Sequence, residues 1–478
     1  MAGFGTFFGL NTGVSALQTA QQALSVIGNN IANAATPGYT EETANISEAT
    51  SFPPIPSSAA PIVAGQVGEG STVTSVDRQV NPYYNTLVRN NQTSYSGQNT
   101  LLTNLNEIQG IIGEPTNTSI HAAIDSFFSS WQTLSTQPDS KAARQTVIQQ
   151  AKNLADTFTT VQNQLVSVVG NLDNNISDAN AGQIAQVNQY ATQINDLNKQ
   201  IVAIKSSGQN PNQLLDQRDT ILNNLAKLGN MSTSQNADGS ISVSFGTVQI
   251  VTASGSGTYS TTAFTNTNAT SLTSGAIWAN EQSISTAQNV IEKLGTLQGA
   301  IADSVNTQLN AGYQLNSSTP GVNLFSVTTK NVTTASGNTT TPVEQMAVVT
   351  GFTTDQLAAA QTPNVAGDGS NATAIAAMQS STTLTDSTPT TPVSLGATPD
   401  GYYTAIVSQI GAQTSAVQSS QKTANSLLQQ AQTMQQSVSG VNQNEEMTKM
   451  VEFQNMYTAA AKFISVQDQM LQNLIQVV

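Results

Sequence analysis

A seven-residue repeat written at both ends constrains this chain more than any other feature. Leu10, Leu17, Leu24 and Ile31 recur every seven residues, with Val14 and Ile27 filling the same side. At the other end Met450, Tyr457, Ile464, Leu471 and Val478 form one such line. Met456, Phe463, Met470 and Val477 form a second beside it, widened by Phe453, Ala460 and Leu474. Apolar residues at this spacing share one seam of an α-helix, and a seam of that kind asks for a partner helix. The first stripe is narrow; the second is broad enough to need more than one neighbour. The first helix must stop near Asn33-Ala34-Ala35-Thr36-Pro37-Gly38-Tyr39. There Pro37 disfavours helical geometry at Thr36, and Gly38 offers a permissive turn position. Few large side chains stand against the entropy of ordering a long isolated helix. We therefore expect residues 1–45 and 440–478 to be disordered in a monomer and to fold when subunits stack.

Between the ends the period stays helical. Leu101, Leu105, Ile108 and Ile112 begin a body in which Leu154, Phe158, Val161, Leu165, Val168, Leu172 and Ile176 alternate by four and three. Ile184, Val187, Ala191, Ile194, Ile201 and Ile204 continue with a small change of phase. Unbroken from 154 to 204, this rod would be roughly 75 Å long, but the Asn/Asp/Gly-rich stretch 170–182 can interrupt it. Segments running from Val290 to Leu309 and from Ile406 to Val438 can pack against it. Residues 238–252 alternate by two and predict a hairpin. Residues 328–343 and 380–400, rich in Thr, Ser, Pro and Gly, read as surface loops.

The fold class this predicts is mainly α: coiled-coil terminal helices plus an elongated helical bundle with a small β lobe. Residues 1–48 and 438–478 make the paired terminal helices. Residues 49–230, 276–327 and 344–437 make the rod, 231–275 the β lobe, and 328–343 a short outer insertion.

Composition removes most chemistry. The chain has no Cys, so thiolate nucleophiles, Cys-bound zinc and disulfides are all excluded. His121 is the one histidine, alone in Ser119-Ile120-His121-Ala122-Ala123, and reads as a helix-start residue rather than a ligand or base. Only 9% of residues are charged and the net charge is −14, which argues against a nucleic-acid partner. No 18-residue apolar run offers a membrane span. Residues 1–40 carry no charged side chain, and the start lacks the basic region of a secretory signal. We expect no catalytic residue, no cofactor and no metal. Glu445 and Glu446 are sequence neighbours without a partner acid or base, and read as a solvated helix N-terminus. Arg218 with Asp216 and Asp219 reads as a surface or inter-helix ion pair. Asn29, Asn30 and Asn33 either drift toward a helix end or exchange amide hydrogen bonds between stacked subunits. Tyr39 and Tyr457 read as packing residues at helix ends or interfaces.

Asn29-Asn30-Ile31-Ala32-Asn33-Ala34-Ala35-Thr36-Pro37-Gly38-Tyr39 closely resembles the N-terminal signature of the bacterial flagellar axial family, the rod, hook and hook-associated proteins. Four further segments resemble the hook-associated branch. They are Ser439-Gly440-Val441 with Glu445-Glu446-Met447, Phe453-Gln454 with Tyr457, Leu214-Leu215-Asp216-Gln217-Arg218-Asp219, and Gly367-Asp368-Gly369-Ser370-Asn371-Ala372 running into Ile375-Ala376-Ala377-Met378-Gln379. The pattern departs at Ala35, commonly Asn in the family, and at Glu41 and Glu42, where a basic residue is usual. Gln443-Asn444 replaces a Leu-Asp pair, and Gln314 a common Asp. Relatives often insert bulky outer domains after the segment matching Asn323-Leu324-Phe325; here only about twenty residues follow before Glu344.

The resemblance implies a non-enzymatic axial protein that assembles with copies of itself at the hook–filament junction. It would meet the hook protein and the second junction protein, hook-associated protein 3. It also implies export in an unfolded state by the flagellar type III apparatus, a transient cytoplasmic stage, and an export chaperone on the C-terminal helix. The assembly residues it points to are Leu10, Leu17, Leu24, Asn29, Asn30, Ile31, Asn33, Pro37, Gly38 and Tyr39, with Met450, Phe453, Tyr457, Ile464, Leu471 and Val478 shared with the chaperone. Two alternatives stand beside it: another axial part such as the hook protein, and a secreted Thr/Asn-rich adhesin.

Overall fold

A computed structural model describes residues 8–49, 68–113, 119–254, 257–333, 340–387 and 392–477. Val478 of the predicted stripe, the N-terminal seven residues and 334–339 of the predicted insertion lie outside these. The chain is mainly helical, with small antiparallel sheets. Its first and last helices, α1 (Phe8–Asn33) and α11 (Gln443–Val477), pack together antiparallel: Gly13 lies beside Ile464, and Asn30 meets Glu446. α1 ends where the Thr36-Pro37-Gly38 turn was expected to end it. A hairpin of β1 (Glu42–Glu48) and β2 (Ser71–Arg78) then lies along α1, where Thr19 Oγ1 donates to the Ser71 carbonyl at 2.9 Å.

The body is built from α2 (Pro82–Ile112), α3 (Ile120–Thr136), α4 (Lys141–Ser177), α5 (Gln183–Ser206), α6 (Asn212–Leu228), α8 (Ala276–Ala311) and α10 (Pro399–Ser439). Leu154, Phe158, Leu165, Val168, Leu172 and Ile176 of α4 are all buried, as their four-three spacing predicts. α3 supplies Phe127, Phe128 and Trp131 to the same core. His121 stands in the first turn of α3, behind the Ser119 cap. The rod does break within 170–182. Asp178 accepts hydrogen bonds from the amides of Asn180 and Ala181, closing a turn that separates α4 from α5.

The β lobe is a four-stranded antiparallel meander: β3 (Met231–Gln235), β4 (Ile241–Phe245), β5 (Val248–Ser254) and β6 (Thr258–Thr261). Its central pair is the hairpin predicted from alternation. The polar outer strands complete it, with the short helix α7 (Asn266–Ala269) leading back to the body. Residues 328–333 and 340–343 are strands, contrary to the reading from composition. β7 (Phe325–Thr333) and β8 (Thr340–Val348) pair from Phe325↔Val348 to Thr333↔Thr340. Two physical reasons account for this. β-branched Val and Thr suit strands, and buried amides of α8 pin the inner end. Asn306 Oδ1 accepts from the Leu324 and Phe325 amides, and Gln298 brackets Glu344 and Met346. Residues 381–387 and 392–398 are mostly irregular around the two-residue strands β9 (Thr385–Asp386) and β10 (Val393–Ser394), after the short helix α9 (Ser370–Ala377).

Candidate functional site

The paired ends meet along a seam that differs from the leucine line. The inward residues of α1 are Gly13, Ala20 and Ile27, spaced by seven, and Ala23 with Asn30, also spaced by seven; all are buried. Half-buried Ala16 completes a three-four alternation. Small residues let α11 approach closely, since a Cβ on Gly13 would stand 2.7 Å from Ile464 Cγ1. Leu10, Leu17, Leu24 and Ile31 flank this seam and stay half-buried, while Val14 is 39% exposed. On α11, Met450, Phe453, Ile464 and Leu471 are half-buried, and Tyr457, Phe463, Val466 and Met470 are exposed. The broad apolar stripe is therefore only partly covered within one chain.

At the base of the pair sits a polar knot. Asn30 donates from Nδ2 to Glu446 Oε2 at 2.8 Å and to the Glu42 carbonyl at 2.8 Å. Its Oδ1 accepts from the Tyr39 hydroxyl at 2.7 Å and from the Glu42 amide at 3.0 Å. Asn30 thus uses its amide within the chain. Glu446 is 1% exposed, a correction to its reading as a solvated residue; α11 begins against α1 and closes over it. Lys449 Nζ reaches Glu446 and Glu41, each at 2.9 Å, and Glu445 at 3.2 Å. Burial works against its charge, but the hydrogen bonds to Glu446, Glu41 and Glu445 outweigh that and raise its pKa. Burial likewise raises the Tyr39 hydroxyl, helped by Glu42, Asp216, Glu446 and Glu41. Asn29 and Asn33 are peripheral: Asn33 Nδ2 bonds back to the Asn29 carbonyl at 3.0 Å.

A second set of polar contacts fastens the turn to the body. Gly38 adopts φ +84°, and a Cβ there would stand 2.6 Å from Thr220 Oγ1 of α6. Thr40 Oγ1 donates to Asp216 at 2.7 Å. Arg78 bridges Asp216 at 2.5 Å and Asp219 at 3.1 Å, and Arg89 reaches Asp219 at 2.7 Å. Both aspartates are therefore engaged from outside α6. Arg218 is not their partner, as the sequence had suggested; it points the other way, donating to the Gly239 carbonyl at 2.8 Å and to Asn198 at 3.2 Å. Burial lowers its pKa to about 10. Between the turn and α5–α6 lies an open cleft of about 850 Å³, lined by Asn29, Asn33, Pro37, Tyr39, Gln193 and Gln217 among others. Sequence reading missed Glu41, Arg78, Arg89 and Lys449. The small-residue spacing from Gly13 to Ala23 was visible, but large apolar residues are the usual signal for a seam.

The family model described as "Flagellar hook-associated protein FlgK helical domain" matches residues 105–325. Those for "Flagella basal body rod protein" and "Flagellar basal body rod FlgEFG protein C-terminal" match 10–40 and 431–477, which are the two terminal segments. Flagellar hook-associated protein 1 of Bacillus subtilis is 27% identical, across 98% of both chains. From end to end the chain is similar to flagellar hook-associated protein 1. The Escherichia coli K12 member is 25% identical over 98% of this chain and 99% of its own. The Salmonella typhimurium member is 28% identical over 69% of this chain and 61% of its own. The solved flagellar hook junction protein FlgK from Burkholderia pseudomallei shares the fold, with a TM-score of 0.57 and 17% identity over 74% of this chain and all of that one. Full-length likeness to hook-associated protein 1 makes this a structural, non-enzymatic axial protein of the flagellar hook–filament junction. It sets aside the adhesin and hook-protein readings.

Proposed function

We propose that this hook-associated protein 1 relative builds its part of the junction by stacking terminal-helix pairs into a tube. One observation carries the reading: apart from Ile27 the α1 side of the seam with α11 is made of small residues, while the other large apolar side chains flank it. Leu10, Leu17, Leu24 and Ile31 remain half-buried, and Tyr457, Phe463 and Met470 remain exposed. Apolar surface arranged in rows marks an interaction face, and a second copy carries the complementary row. Asn30, Tyr39, Pro37 and Gly38 then act inside each subunit, setting the angle at which the pair leaves the body. Hook protein and hook-associated protein 3 would be its axial neighbours. The same exposed face of α11 suits an export chaperone, and the uncharged N-terminal forty residues suit export as an unfolded chain. The small seam also supports ordering of the ends on assembly; slow amide exchange across both ends of a dilute monomer would overturn that part. Immunogold labelling of isolated flagella tests the placement: one narrow band between hook and filament is expected. Label along the whole hook or filament would reassign the part.

A further inference from the structure

Away from the terminal pair, α8 carries two glycines one turn apart, Gly295 and Gly299, on the face that receives β8 and β9. Each marks a place where a carboxylic side chain is pressed onto the helix. A Cβ on Gly299 would fall among the Asp386 carboxyl atoms, with Cγ at 2.6 Å, and one on Gly295 would stand 3.3 Å from Glu344 Cβ. Asp386 is fully buried. Consecutive turns of α8 thus bring the two carboxylic side chains to one place, where Glu344 Oε2 and Asp386 Oδ2 are both buried. Two carboxyls held together away from water favour a state in which one keeps a proton. The other titratable groups acting here are acidic or neutral. α8 contributes Asp303, which accepts from the Ser387 amide at 2.7 Å, and Glu292. Tyr402 of α10 feels Glu292 and Asp386. β7 sets Thr329 opposite Glu344, its neighbour Lys330 is exposed, and Lys152 of α4 is exposed.

We propose that Glu344 and Asp386 form a proton-operated latch that fastens the β7–β8 hairpin and the β9 segment to α8. With one proton shared between them the two carboxyls bridge β8 to β9 over the glycine pair. Once the proton leaves, two like charges face each other beside half-buried Asp303, and the hairpin loosens from the helix. Burial first, then Asp386 and Asp303, raise the Glu344 carboxyl to about 7 from an ordinary 4.5. The sign follows directly. The closed latch holds its proton more tightly than the open one, so closure is strongest at acid pH. It weakens as pH rises from the ordinary carboxyl range toward 7, then levels off above it.

Hydrogen exchange of the full chain, read on peptides spanning 325–348 and corrected for intrinsic rate, tests this. Opening should rise with pH, by up to about ten-fold per unit between pH 5 and 7, and flatten above, while peptides of the β3–β6 lobe stay level. Glu344→Gln and Asp386→Asn should each remove that slope. A level wild-type profile, or an unchanged slope in Glu344→Gln, overturns the latch. Should either variant fail to fold, carbon-13 titration of the Glu carboxyls in the unmodified chain decides the matter. One inflection near neutrality supports the proposal, and ordinary acidic inflections throughout overturn it.

Discussion

The body and the terminal pair use opposite logic for the same helical material. In the body, Phe127, Phe128, Trp131 and Phe158 are fully buried, and large side chains from α3, α4 and α8 close on one another. In the terminal pair the inward positions are mostly small, Gly13, Ala20 and Ala23 beside Ile27, and the other large side chains stand at the flank or in solvent. A helix pair that keeps its bulk outside is incomplete as an isolated object. The contrast teaches where self-sufficiency ends in this chain: the body buries its large side chains, whereas the ends leave theirs partly uncovered. What fixes the pair to its own body is polar, through Asn30, Glu446 and Lys449 on one side and Arg78, Arg89, Asp216 and Asp219 on the other.

The sharpest way to break this comparison is to damage each half separately. Phe158→Ala should cost the body about 3–5 kcal/mol, lowering the denaturation midpoint of the monomer. A loss below about 1 kcal/mol would deny α4 its place in the core. Glu446→Leu removes the buried acceptor of Asn30 and one of the three carboxylates on Lys449, and should weaken pairing by about 1–3 kcal/mol. Assembly should fail while the body's denaturation midpoint stays put; a midpoint that moves with it would merge the two regions into one cooperative unit. Gly13→Val drives a side chain into Ile464 and Phe463, with an expected cost of about 1–3 kcal/mol, visible as a higher concentration needed for self-association. Normal association by that variant would refute the close approach of α1 to α11. Leu24→Ala should change monomer stability least, by under about 1 kcal/mol, because its side chain is half-exposed in one subunit. Self-association should nevertheless weaken by on the order of ten-fold. Unchanged association would remove the leucine row from the interface.

Much of the fold was readable in advance because helix periodicity is local. The α4 seam, the end of α1 at Pro37 and the β4–β5 hairpin each follow from spacing or from a turn residue. The β7–β8 hairpin was hidden, since Thr-rich strands look like loops until buried Asn306 and Gln298 give their backbone a place to bond. The polar knot was hidden for a related reason. Glu446 sits 416 residues from Asn30, and charge on a sequence says nothing about burial.

Residue order alone settled that this chain is helical, that its ends are made to pair, and that it carries no constellation for catalysis. Those properties rest on repeat spacing and on which side chains exist at all. Which seven-residue line faces inward, and which carboxylates lie buried, depended on how distant segments dock. An α-helix with two apolar lines can turn either toward its partner. The packing distance allowed by Gly13, Ala20 and Ala23, together with the amide of Asn30 bonding to Glu446, chose the small one and left the leucines half-buried at its flank.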